Sequence, residues 1–355
     1  MRFKYRYIYY FFVAKYIANN IGEMKTRKTV VYMCKRLFNE EFANIIMFLT
    51  FHSKDPIILN EILNNAKSLF SENQPARLEK DISALNILVD EVPGLILESK
   101  DTAEHLGEIY DAQDRLELAK KDYFADDKEA EFDEQEELGE IDFTSKLNQA
   151  FKIIEIMGQI LRNYFASLKG DKKYELGEET YFLGLRILSI GFSVFSNDPD
   201  FFVREIKRII KERNISDTTK IEQLSKRFLF DLFCYISYAI IKKISISIGN
   251  EKLSETFKDI LENNNYPSIR LVDLSIKLDF FREFPFEEIK DLKKDLQKNI
   301  LAYNILRTLV VVYLYMFPIE YQDKQKICNL LNISIRDMRA INLKSSDSKK
   351  LKKPK

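Results

Sequence analysis

Two histidines, His52 and His105, and three cysteines, Cys34, Cys234 and Cys328, are the side chains here best suited to nucleophilic, acid–base or metal chemistry. A zinc site needs such ligands at short spacing, whereas these are scattered and form no Cys-x-x-Cys pair. The thiols read as small core residues of a reducing compartment. His52 stands between the apolar run FANIIMFLTF and Ser53-Lys54-Asp55, where a hydrogen-bonded connector is expected rather than a general base. Phosphate chemistry lacks its cradle: there is no G-x-x-x-x-G-K-[ST], and Gly170-Asp171-Lys172-Lys173 reads as a helix stop. Neither G-x-S-x-G nor H-E-x-x-H occurs. The pairs Glu178/Glu179 and Glu287/Glu288 fall in the first turns of expected helices, where the macrodipole accounts for them. No cofactor or metal is expected, and the chain reads as non-enzymatic.

One stretch could act on nucleic acid. Asp323 to Ile341 has helix-turn-helix proportions, with Asn332 at a left-handed turn and Ser334 capping a second helix that exposes Arg336 and Arg339. The tail 344–355 adds six lysines and one Asp, suited to phosphate contacts. Against this, Ile327, Leu330, Leu331, Ile333 and Ile335 demand burial, so a packed terminal hairpin is favoured and nucleic acid is not the expected partner.

The elements that must hold these residues are helices. Ten Gly, eight Pro and no Trp in 355 residues favour long helices over a turn-rich β fold. Lys+Arg and Asp+Glu both number 55, so net charge attracts neither nucleic acid nor membrane. Stripes at helical spacing run through 26–51, through a helix opened by Asp55-Pro56, and through one from Pro75 to Pro93-Gly94. Between Asp122 and Asp142 lie eleven acidic residues and one lysine, which read as a solvated linker. Beyond it come stripes at 143–165, 174–196, from Asp198-Pro199, from Ser216 to Gly249, and at 251–263, 267–283, 286–297, 298–317 and 321–332. The greasy stretches at Tyr5–Ile21 and Leu309–Phe317 are interrupted or too short to span a bilayer, so a cytoplasmic protein with no membrane partner is expected.

Tyr5 to Ile21, YRYIYYFFVAKYIANNI, is apolar on nearly its whole circumference, with Arg6 and Lys15 its only charges. Tyr7, Tyr10, Phe11, Phe12, Ala14 and Tyr16 are the candidate interface. The run Phe3 to Ala18 resembles the aromatic helix that follows the ATPase core in bacterial STAND (NACHT-like) P-loop NTPases of anti-phage defence. The runs NEEFANIIMFLTFHSKDP, KLSETF, LSIKLDFFREFPFEEIKDLKKDL and YMFPIEYQDKQKICNLLNISI are similar to the helical C-terminal region of that group.

The expected fold is all-α, a multi-helix, α-solenoid-like array in two parts. Residues 1–98 form an N-terminal helical segment continuing an absent ATPase module, 99–143 an acidic linker, 144–343 a C-terminal helical domain and 344–355 a basic tail. The resemblance implies a helical sensor or scaffold region of a STAND-type NTPase, a fragment without its nucleotide-binding domain. Its partner would be the upstream ATPase domain or a foreign, phage-derived trigger, with oligomers compatible. The alternatives are a DNA-binding regulator using 323–343 and a toxin- or immunity-type partner.

Overall fold

The computed structural model describes residues 6–98, 141–211 and 218–336. The acidic segment through residue 140, the basic tail, Arg339 and the Arg336 side chain lie outside the described residues. Fourteen α-helices and only two three-residue strands occur among those described, so the fold is all-α as expected.

The chain falls into two compact units, the first holding the described residues up to Asp90 and from Ile141 to Pro285, the second those from Glu91 to Glu98 and from Phe286 on. The first contains α1 (Arg6–Asn19), α2 (Met24–Cys34), α3 (Glu40–His52), α4 (Pro56–Ser68), α5 (Ser83–Asn86) and α6 (Phe143–Tyr164). It continues with α7 (Gly170–Asn197), α8 (Pro199–Lys211), α9 (Thr218–Ile248), α10 (Ser254–Asn263) and α11 (Pro267–Phe280). The acidic segment thus does not separate two domains, which corrects the 1–98 and 144–343 division. The short early helices complete their cover on the long later ones: Tyr164 donates to the Thr50 carbonyl, Ala76 N–H to Leu185 O at 3.0 Å, and Ser268 N–H to Arg77 O at 3.2 Å. Arg186, buried with Glu179 as its ion pair, also donates to Ala66 O at 2.9 Å. Fully buried Tyr181, Phe192, Phe195, Phe230 and Phe257 mark the centre of this unit.

Local chemistry explains where elements begin and end. Asp55 accepts from Ile57 N–H at 2.9 Å with Pro56 in the first turn, the start that Asp-Pro encodes. The helix expected from Pro75 to Gly94 shrinks to a 3-10 turn at Lys80–Ile82 followed by α5. Asp81 is the reason: its carboxylate takes the N–H groups of Arg77, Leu78 and Glu79 at 2.9, 3.2 and 2.7 Å, while Leu78 sits at φ 60°. That local bonding competes with helix. Gly170 begins α7 rather than stopping a helix, with Asp171 in the first turn. Gly158 lets α6 meet α9, because a Cβ there would stand 2.2 Å from the Ser247 carbonyl oxygen.

The second unit contains β1 (Ile96–Glu98), α12 (Phe286–Leu296), α13 (Ile300–Met316), α14 (Tyr321–Leu330) and β2 (Ser334–Arg336). Asn332 adopts the left-handed turn, φ 54°, and Ile333 N–H closes back on Cys328 O at 2.9 Å. The chain then leaves as a strand: Ser334, Ile335 and Arg336 pair in parallel with Ile96, Leu97 and Glu98. Where the helix-turn-helix and hairpin readings both expect a second helix to begin, residues 334–336 form β2, since β-branched Ile333 and Ile335 suit a strand. Arg307 fastens this corner. Its guanidinium donates to Pro93 O at 2.6 Å, Leu331 O at 3.1 Å and Asn332 O at 2.9 Å.

Candidate interaction face

Among the described residues no group of three metal-ligating side chains comes together, and the three cysteines are free and buried. Burial pushes the Cys34 thiol far above its ordinary range and raises that of Cys328. An open groove of about 730 Å³ has Phe70, Asp142, Phe143, Lys146, Val194 and Asn197 in its lining. Asp142 there is engaged as the cap of α6, accepting from Ser145 N–H at 3.1 Å.

The distinctive surface is α1. The helix lies against α3 and buries Tyr10, Ala14 and Ile17, one residue per turn. Ala14, fully buried, leaves room for the close approach of α3, whose Ile46 and Leu49 are also fully buried. Phe11 caps the seam, its ring 4.7 Å from that of His52 and 6.1 Å from that of Phe48, both edge-on. Burial lifts the Tyr10 phenol above its ordinary range, with Glu41 adding to the shift.

The rest of the circumference faces outward. Tyr7 is 64%, Phe12 52% and Tyr16 67% exposed, and Ile8, Tyr9 and Phe11 are exposed as well. Of the six candidates, Tyr7, Phe11, Phe12 and Tyr16 are accessible, spread over about half of the helix circumference at about 100° per residue. Tyr10 and Ala14 are not; they belong to the α1–α3 packing. The six candidates left out the contribution of α3 to this face. Phe51 is 52% exposed, and Phe48, Phe51 and His52 repeat at i, i+3 and i+4, a signal that was present. His52 is also no polar connector through its outer nitrogen. Its Nε2 is shielded and has no hydrogen-bond partner, while the ring packs on Phe11.

This face is mostly aromatic and aliphatic, with the His52 ring packed at its edge on Phe11. The class so defined is an all-α array with an uncovered aromatic helix. No family model, curated protein or solved structure matches the chain. No single described helix is long and apolar enough to cross a membrane; Thr219–Ile248 with Glu251–Asn263 would suffice only together, bent by 90°.

Proposed function

We propose that this chain is a non-catalytic helical scaffold, working in the cytoplasm, that docks a protein partner through the aromatic face of α1. One observation carries the reading: a fourteen-residue helix buries only three side chains and leaves six large apolar ones accessible. Aromatic side chains supply most of the energy at protein interfaces, and contiguous exposed apolar surface marks such interfaces. Arg6 and Lys15 are the only charges on this helix, so an anionic macromolecule gains little from it. The resemblance to the helical region of STAND-type NTPases of anti-phage defence names the partner class, an ATPase module or a foreign trigger that releases it.

The test is to translate the genomic sequence upstream of the Met1 codon, express any P-loop module found there, and titrate it with this chain. Binding is expected, and Phe12→Asp or Tyr16→Asp each weakens it by about thirtyfold, the scale of an interface hot spot. Absence of a P-loop frame, or equal binding by both variants, overturns the reading.

A further inference from the structure

We infer that α9 carries a separate interface through which two copies of this chain pair, their α9 helices packed antiparallel. Leu224, Phe228, Leu232 and Tyr235 are 40%, 51%, 38% and 68% exposed on this helix. At about 100° per residue they fall within an arc of about 80°, a single stripe. The opposite side of α9 is satisfied by its own unit, where Leu229, Phe230, Phe233, Ile240 and Ile241 are buried. The stripe is therefore surplus to folding.

Its pattern identifies the occupant, because it is complementary to itself when reversed. The midpoints of Leu224 with Tyr235, of Phe228 with Leu232 and of Arg227 with Asp231 all fall at or between residues 229 and 230. A two-fold axis there lays Leu224 on the partner's Tyr235 and Phe228 on the partner's Leu232. The same rotation brings Arg227 to the partner's Asp231 and Asp231 to the partner's Arg227. These two side chains, paired within one helix at 2.7 Å and 44% and 48% exposed, flank the stripe on one edge. An isologous contact requires each apolar side chain to meet another and each charge to meet its opposite under one rotation, and all three pairs comply. A bilayer would meet the Arg227–Asp231 pair with no opposite charge to receive it. Four apolar anchors per copy fit a weak, micromolar dimer.

The experiment is sedimentation velocity of the full chain over a micromolar concentration series. A monomer–dimer equilibrium is expected, and Phe228→Asp abolishes it while leaving the thermal melt in place. Arg227→Glu sets like charges opposite each other across the axis and weakens the dimer by about tenfold, and Arg227→Glu with Asp231→Arg restores it. Phe12→Asp on α1 leaves the equilibrium unchanged, which separates this interface from the docking face. A wild-type chain that stays monomeric throughout overturns the inference. So does a dimer abolished by Phe12→Asp but not by Phe228→Asp, or a charge swap without rescue. Flotation of the monomeric chain with phosphatidylcholine–phosphatidylglycerol vesicles, lost in Phe228→Asp, would assign the stripe to a membrane and overturn it too.

Discussion

Helices α1 and α13 are written in the same language and end in opposite places. Each is a nearly charge-free apolar run: α1 has Arg6 and Lys15, and α13 has Arg307 alone. Yet α13 buries eleven of its seventeen residues, and α1 buries three of fourteen. Apolarity around a whole helix states a demand for cover without saying what supplies it. In the second unit α13 finds that cover among its own neighbours. In the first, α3 covers one side of α1, and six large apolar side chains of that helix stay accessible.

The largest expected effect tests the covered helix. Leu306 is fully buried, so Leu306→Asp places an unpaired carboxylate in an apolar interior and costs several kcal/mol, enough to unfold the second unit. Hydrogen exchange read over α12–α14 should show protection lost there. Retained protection would mean that α13 is less tightly enclosed than its burial indicates.

Next in size is the single charge of α13. Arg307 is 2% exposed and holds three backbone carbonyls, at Pro93, Leu331 and Asn332, of which Leu331 O also accepts from the Tyr303 hydroxyl at 3.1 Å. Arg307→Met takes the guanidinium from all three, leaving Leu331 O only its Tyr303 bond, and is expected to cost about 3 kcal/mol by chemical denaturation. Arg307→Lys should recover only part of this, because a compact ammonium lacks the fork that reaches several carbonyls at once. If Lys performs as well as Arg, the clamp is merely a charge in a pocket.

A smaller effect distinguishes how the units respond to acid. In the first, Glu155 on α6 pairs with Lys243 on α9 and with Lys152 at 3.2 Å. Burial pushes its carboxyl up, but the hydrogen bond and charge of Lys243, followed by Lys152, win and hold it below the ordinary value. The folded value is thus depressed, so the contribution is complete above the ordinary carboxylate range and is lost as pH falls through the lowered one. Glu155→Gln should flatten the acid limb of first-unit stability by less than about 1 kcal/mol, since the pair is partly exposed. The Arg307 clamp joins a cation to neutral carbonyls and should show no such limb. An equal acid response over α13 would break that distinction.

The elements that sequence made legible share a local signal. Asp55-Pro56 opens α4 because cap and proline act within one turn, and Asn332 turns left-handed because its own short side chain permits it. The failures are contests decided at longer range or by a competing local bond. Asp81 took three N–H groups that a helix would have used, and β2 found its partner more than two hundred residues upstream at Ile96. The domain boundary failed for a related reason: a run of acidic residues shows where chain is solvated but not which helices meet on either side. Half of the candidate face was legible. Period 3.6 groups Tyr10, Ala14 and Ile17 on one side, yet composition alone could not tell that this side meets α3 while Phe12 and Tyr16 stay open.

The smallest expected effect completes the comparison with α13. Phe12 is 52% exposed and its ring makes an edge contact with Phe11, 5.5 Å between centroids, so it gives little to the α1–α3 seam. Phe12→Asp therefore exchanges an accessible apolar side chain for a hydrated one, against a slightly poorer helix propensity, and should change stability by no more than about 0.5 kcal/mol. Solubility should rise, because an aromatic patch open to water favours self-adhesion. Ala14→Asp, one turn-edge away and fully buried, is the matched opposite and should unfold the α1–α3 pair, since the same carboxylate then has neither water nor partner. Denaturant melts of the two variants decide the matter. If Phe12→Asp costs as much as Ala14→Asp, the outer side of α1 is covered within the chain, and the contrast with α13 disappears. If the two differ by several kcal/mol, the outer side of α1 is open within the chain, and the contrast with α13 stands.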